Sequence, residues 1–143
     1  MMKRSLKAMW LRSLMVAAAG LTLSAAVAPP ADAGLQGKWR NTRNTVHLRL
    51  APCGDAVCGT VIWANEEAQT HARRGSGKDI LGVQLLSGLR QRPDGTWRGR
   101  VFVPAVNGRG SATVTQLSDK LVRVSGCMLA GVVCKTQHWH RVE

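Results

Sequence analysis

Val46, Leu48 and Leu50 are apolar and are separated by His47 and Arg49. Such alternation marks a β-strand with one buried face. Other stretches read the same way. Gly37–Arg40 is a short first strand, and Val57–Ala64 follows the 46–50 run. Ile80–Leu89 is apolar but broken by Gly82 and Gly88, which favours a strand over a helix. Trp97–Val103, Ser111–Leu117, Leu121–Gly126 and Lys135–Val142 complete the set. The stretch between Asn65 and Asp79 shows no apolar periodicity. It is expected as a long surface loop, mobile at Gly75-Ser76-Gly77.

Turn chemistry punctuates these strands. Pro93-Asp94-Gly95 and Asn107-Gly108 supply a fixed φ and residues that accept positive φ, and Ser118-Asp119-Lys120 is a further polar turn. About eight short strands with turns every eight to twelve residues point to an all-β fold, a small antiparallel barrel or sandwich. After the N-terminal region no stretch carries helical periodicity.

The N-terminal region is of another kind. Lys3, Arg4, Lys7 and Arg12 precede an apolar run from Leu14 to Ala28, followed by Pro29-Pro30 and Ala31-Asp32-Ala33. A basic start, an apolar middle and an Ala-x-Ala site describe a helical secretory signal peptide. Residues 1–33 are therefore expected to be cleaved after Ala33, leaving 34–143 as one domain. The apolar run is shorter than the roughly 20 residues a membrane-spanning helix needs, and no later stretch is a candidate span. The expected location is exported, periplasmic or secreted from a bacterium. The whole chain carries 20 basic and eight acidic residues; removing 1–33 takes away four basic and one acidic residue and leaves a formal charge of +9. Such a surface suits an acidic envelope polymer or a protein partner. No aromatics interleave with a basic run, so no specific nucleic acid is expected.

All four cysteines, Cys53, Cys58, Cys127 and Cys134, lie after residue 33. An even number in an exported chain reads as two disulfides, for which three pairings exist. Local pairing, 53–58 and 127–134, is the expected one. Five steps of extended strand cover about 17 Å and bridged Cα atoms sit about 4.4–6.8 Å apart, so the chain must reverse within each pair. Setting Cys53 opposite Cys58 places Leu50 against Val61 and Leu48 against Trp63. Val46, Leu48, Leu50, Val61 and Trp63 then share an inner face. Setting Cys127 opposite Cys134 places Val124 against Gln137 and Val122 against Trp139.

These residues resemble a bacterial family of exported domains of unknown function, DUF2147. The resemblance rests on Gly37-x-Trp39, Cys53…Cys58-Gly59-x-Val61-Ile62-Trp63 and Gly77-Lys78-x-Ile80-Leu81-Gly82. It continues through Asp94-Gly95-x-Trp97-x-Gly99, Val101-Phe102-x-Pro104, Val124-x-Gly126-Cys127 and Cys134-x-x-Gln137-x-Trp139-x-Arg141-Val142. It implies a lipocalin-like closed barrel. It also implies a closure in which Arg141 stacks on Trp39 behind Gly37. The chain departs from the family pattern after Trp97. Phe102 and Val103 stand where a tyrosine and an acidic residue are usual, and the chain contains no tyrosine.

Candidate chemistry is sparse. His47, His138 and His140 lie on outward positions, with no carboxylate neighbours to make a metal site. Ser76, Ser87, Ser111, Ser118 and Ser125 sit in no nucleophile motif, and Asp55, Asp94 and Asp119 read as turn formers. No catalytic residue, metal or cofactor is expected, and the chain reads as a non-enzymatic module. An eight-stranded barrel either holds one small ligand or is filled by its own side chains. Large aromatics in a short chain favour filling. If a cavity exists, Trp63, Trp97, Val101, Gln137 and Trp139, with Leu48 and Val61, are expected to line it for a small apolar or amphipathic ligand.

Overall fold

The computed structural model describes residues 34–142 and Ala25. The expected signal peptide, 1–33, lies outside these residues apart from Ala25. Eight antiparallel strands form a closed barrel in sequence order: β1 (Gly37–Asn41), β2 (Val46–Cys53), β3 (Ala56–Ala64), β4 (Gln84–Gln91), β5 (Trp97–Val103), β6 (Gly108–Ser118), β7 (Leu121–Met128) and β8 (Val133–Val142). Each strand pairs with the next, and β1 pairs with β8 to close the circle. Closure leaves no sheet edge exposed to aggregation.

The two expected disulfides are both present. Cys127 and Cys134 face each other, with Val124 opposite Gln137 and Val122 opposite Trp139, as the sequence suggests. The first hairpin differs by two residues. Cys53 pairs with Ala56 and Cys58 with Ala51, so the bridge runs diagonally across a turn at Gly54-Asp55. A shift of two preserves the faces, so Leu48 and Leu50 still point inward. A bulge beyond Leu48 then changes them: Leu48 opposes Val61 but His47 opposes Trp63, leaving Ile62 as the extra residue. Trp63 is therefore carried outside, where it is 42% exposed and its ring centroid lies 4.6 Å from that of His47. Its expected place on the inner face is corrected by this one inserted residue.

The segment 65–79, expected as a loop, contains an α-helix, α1 (Glu66–Ser76). Its apolar face is only Ala68 and Ala72, which is why periodicity is faint. Its ends carry clear signals instead. The Asn65 side chain accepts from the Ala68 N–H, Glu66 and Glu67 occupy the first turn, Arg73 and Arg74 the last, and Gly77 caps in the left-handed region. Similarly, Ile80–Val83 is a turn ahead of β4 and not strand.

The two ends of the barrel are built differently. At one end the segment Gly34–Gln36 folds under the strands and Leu35 is fully buried. The Trp39 indole N–H donates to the Leu35 carbonyl at 3.0 Å. Arg141 lies opposite Trp39 across the closing seam, 4.2 Å above its ring. Its guanidinium donates to the carbonyls of Asp119 (2.6 Å), Gln36 (2.6 Å) and Gly34 (2.7 Å). Gly37, at φ 131°, leaves the space this guanidinium fills; a Cβ there would collide with Nη1. At the other end lie α1, a 3-10 turn (Pro104–Val106) and the β7–β8 turn. α1 packs on the 3-10 turn so closely that a side chain at Gly75 would overlap the Pro104 and Ala105 carbonyls.

Candidate functional site

The inward residues of the strands change role at one level of the barrel. Below it they pack solidly: Leu50, Val57, Leu89, Trp97, Val114 and Val122 are buried together with Trp39. Above it they line a cavity of about 360 Å³. On four strands the boundary falls between successive inward residues, while β3 and β6 contribute no side chain to the cavity. On β2 it separates Leu48 from Leu50, on β7 Val124 from Val122, on β8 Trp139 from Arg141, and on β5 Val101 from Gly99. The choice between a pocket and a filled interior thus resolves as half of each. The cavity sits at the low end of the roughly 300–1,000 Å³ that small-molecule sites span.

The cavity wall is mainly aliphatic, from Val46, Leu48, Leu86, Val101 and Val124, with the indole of Trp139. α1 contributes Ala68, Ala72 and His71 at the mouth, and buried Ile80 closes the wall behind it. The helix is held there at its start. The Asn65 N–H donates to the Thr45 carbonyl at 2.9 Å, and Arg43 meets Glu67 at 3.3 Å. The second contact is solvent-exposed and worth at most about 1 kcal/mol.

Arg43, Thr45, Glu67 and His71 bring polar groups to the rim, and three further polar residues line the cavity. Asn41 is buried, but its side chain is consumed by the β1–β2 turn. Its Oδ1 accepts from the N–H groups of Thr45 (2.8 Å) and Val46 (3.2 Å), and its Nδ2 donates to Thr45 Oγ1. Lys135 and Gln137 on β8 reach the cavity above Trp139 and make no side-chain hydrogen bond among the described residues. Both are solvent-exposed at the rim.

Of the residues the sequence nominates as lining, Val101, Gln137 and Trp139, with Leu48, are on the cavity wall. Trp97 is not; it is 4% exposed within the filled half. Trp63 is outside the barrel for the reason given above. Val61 is buried but does not reach the cavity. Sequence reading missed His71, Ala72 and Lys135. The first two depend on the helix, whose caps were legible; Lys135 needed only the inward parity it shares with Gln137 and Trp139.

The histidines stay apart from the cavity except His71. Among the described residues no group of His, Cys, Asp or Glu is placed to hold a metal ion. Burial of the His47 ring, and then the neighbouring Arg40 charge, hold its pKa below the ordinary value. No helix among the described residues is long and apolar enough to cross a membrane.

Comparison with known proteins agrees with this geometry. A solved structure of HP1028 from the human pathogen Helicobacter pylori, described as belonging to the lipocalin family, superposes with a TM-score of 0.61 at 14% identity. The match covers 76% of this chain and 83% of that one, and at this identity it is a likeness of fold. No curated protein matches. A family model described as an uncharacterized protein conserved in bacteria matches residues 37–141, and the chain belongs to that family, DUF2147.

Proposed function

We propose that the hollow half of the barrel binds one small apolar or amphipathic ligand, entering past α1. The observation that carries this reading is the level at which the interior stops being packed. A chain that fills its lower half with Trp39, Trp97 and Leu89 leaves about 360 Å³ above them walled by aliphatic side chains. An apolar wall open to water gains when an apolar ligand covers it, because that surface is removed from water. Each methylene placed there contributes about 0.8 kcal/mol. Lys135 and Gln137 at the mouth are available to a polar head.

Binding rather than catalysis is the reading favoured by an aliphatic wall whose one buried polar side chain, Asn41, is spent on its own turn. The setting we infer is exported, periplasmic or secreted, because two disulfides persist in oxidising compartments. The test is a titration of residues 34–143 with straight-chain fatty acids, fatty alcohols and lysophospholipids, followed by tryptophan emission. Trp139 on the cavity wall is the reporter. A saturable change at one ligand per chain supports the reading. No saturable change with any member, and no rise in Tm, rejects it.

A further inference from the structure

Most hairpin turns of this barrel are polar; the connections Ile80–Val83 and Pro104–Val106 are apolar, and the β7–β8 turn is the most exposed apolar one. Gly54-Asp55, Pro93–Thr96 and Ser118–Lys120 follow ordinary turn chemistry. The β7–β8 turn does not. Met128-Leu129-Ala130-Gly131-Val132-Val133 has no polar side chain, yet Leu129 is 74% and Val132 81% exposed. Its backbone is unusual too: Leu129 and Ala130 hold φ of 52° and 55°, a region side chains avoid. The Cys127–Cys134 bridge clamps its base. Val106, on the 3-10 turn, joins this tip: it and Met128 both crowd the space beside Gly108. Leu129, Val132 and Val133, with Val106 near Met128, form an exposed apolar knob at the barrel end that holds the cavity mouth.

Cations lie close to this turn, whereas the acids of the same barrel end, Glu66, Glu67 and Asp79, belong to α1 and the segment after it, and Glu67 is paired with Arg43. Arg109 lies 4.5 Å over the Phe102 ring, Lys135 is on the adjoining strand, and Arg73 and Arg74 end the helix that packs on the 3-10 turn. Between Trp97 and Val142 the chain has a single acidic residue, Asp119, and its turn is at the opposite end, beside Arg141. The strands themselves contain no acidic residue at all. Exposed apolar side chains flanked by cations suit the interface of an anionic lipid bilayer, where the apolar groups enter the acyl boundary and the cations meet headgroups.

We infer that the protein docks on anionic membrane surfaces through the Leu129–Val133 turn and Val106, with its cavity mouth facing the lipid. This does not depend on the cavity holding a ligand.

The experiment is co-sedimentation of residues 34–143, which hold the complete closed barrel and its core, with vesicles. One set is phosphatidylglycerol mixed with phosphatidylcholine, the other phosphatidylcholine alone. The chain is expected to sediment with the anionic set only. Leu129→Ser with Val132→Ser should weaken that binding about tenfold or more. Arg73→Gln with Arg74→Gln should weaken it by roughly fivefold per charge removed. Both pairs are solvent-exposed, so unchanged urea midpoints verify folding. Three results would overturn the inference. One is no binding to anionic vesicles, and another is equal binding to both sets. The third is wild-type binding by the serine variant, including the case where that variant instead abolishes a dimer seen by ultracentrifugation.

Discussion

Replacing Arg141 tests whether the closed end of the barrel is held as the geometry indicates. Its guanidinium makes three hydrogen bonds, to carbonyls of the β6–β7 turn and of the segment that plugs the barrel, and lies over buried Trp39. A hydrogen bond from a charged donor contributes about 1.5–3 kcal/mol when shielded. Two of these three are open to solvent, so about 2 kcal/mol is a fair total. Stacking on Trp39 adds about 1 kcal/mol. Arg141→Ala should therefore lower stability by about 3 kcal/mol. At about 2.1 cal/mol/K of unfolding entropy per residue, this is a fall in Tm of roughly 13 °C. Arg141→Lys keeps the charge but loses the planar fork, and should lose about half as much. Urea unfolding followed by tryptophan emission measures both, with an unchanged m-value expected. A loss below about 0.5 kcal/mol for the alanine variant, within the range of ordinary surface changes, would refute the reasoning. Because Arg141 lies below the packed layer, ligand affinity should not change; a parallel loss of affinity would contradict the division of the barrel into filled and hollow halves.

Further expectations concern the mouth and the outer face. Asn65→Ala removes the cap of α1 and should cost about 1 kcal/mol, measured by urea midpoint. Cys127→Ser with Cys134→Ser opens a short loop and should cost about 2–2.5 kcal/mol on chain-entropy grounds, again read from the urea midpoint. NMR titration should place the His47 pKa below its ordinary value. Arg40→Gln should raise it only in part, because burial is the larger cause. The folded state then favours neutral His47, so its contribution is full above the unfolded pKa, near 6.5, and is lost as pH falls below it. Stability rising as pH drops from 7 to 5 in the wild type but not in His47→Gln would contradict this.

The eight strands were legible because a barrel wall has one wet and one dry face, and Val46-x-Leu48-x-Leu50 records that directly. The second hairpin was legible because its cysteines sit directly opposite, with Cα atoms 4.0 Å apart. The first was two residues out because its bridge is diagonal, at 5.7 Å. Trp63 was misplaced because a period of two cannot register one inserted residue, Ile62. α1 hid because its buried face is two alanines, although Asn65, Glu66-Glu67 and Gly77 marked its ends. The boundary between packed and hollow halves was not legible. It depends on how the volumes of Trp39, Trp97 and Trp139 stack in a closed cylinder, which is a property of the assembled barrel.

Val124→Phe probes the upper half of the barrel as a ligand site. Val124 faces the cavity and is not fully buried. In a filled core such an insertion costs typically about 1–3 kcal/mol; here the ring enters empty space. Urea unfolding should change by less than about 1 kcal/mol, and affinity for the best ligand of the panel should fall at least about tenfold. Unchanged affinity in a folded Val124→Phe variant would rule out the upper half of the barrel as the ligand site.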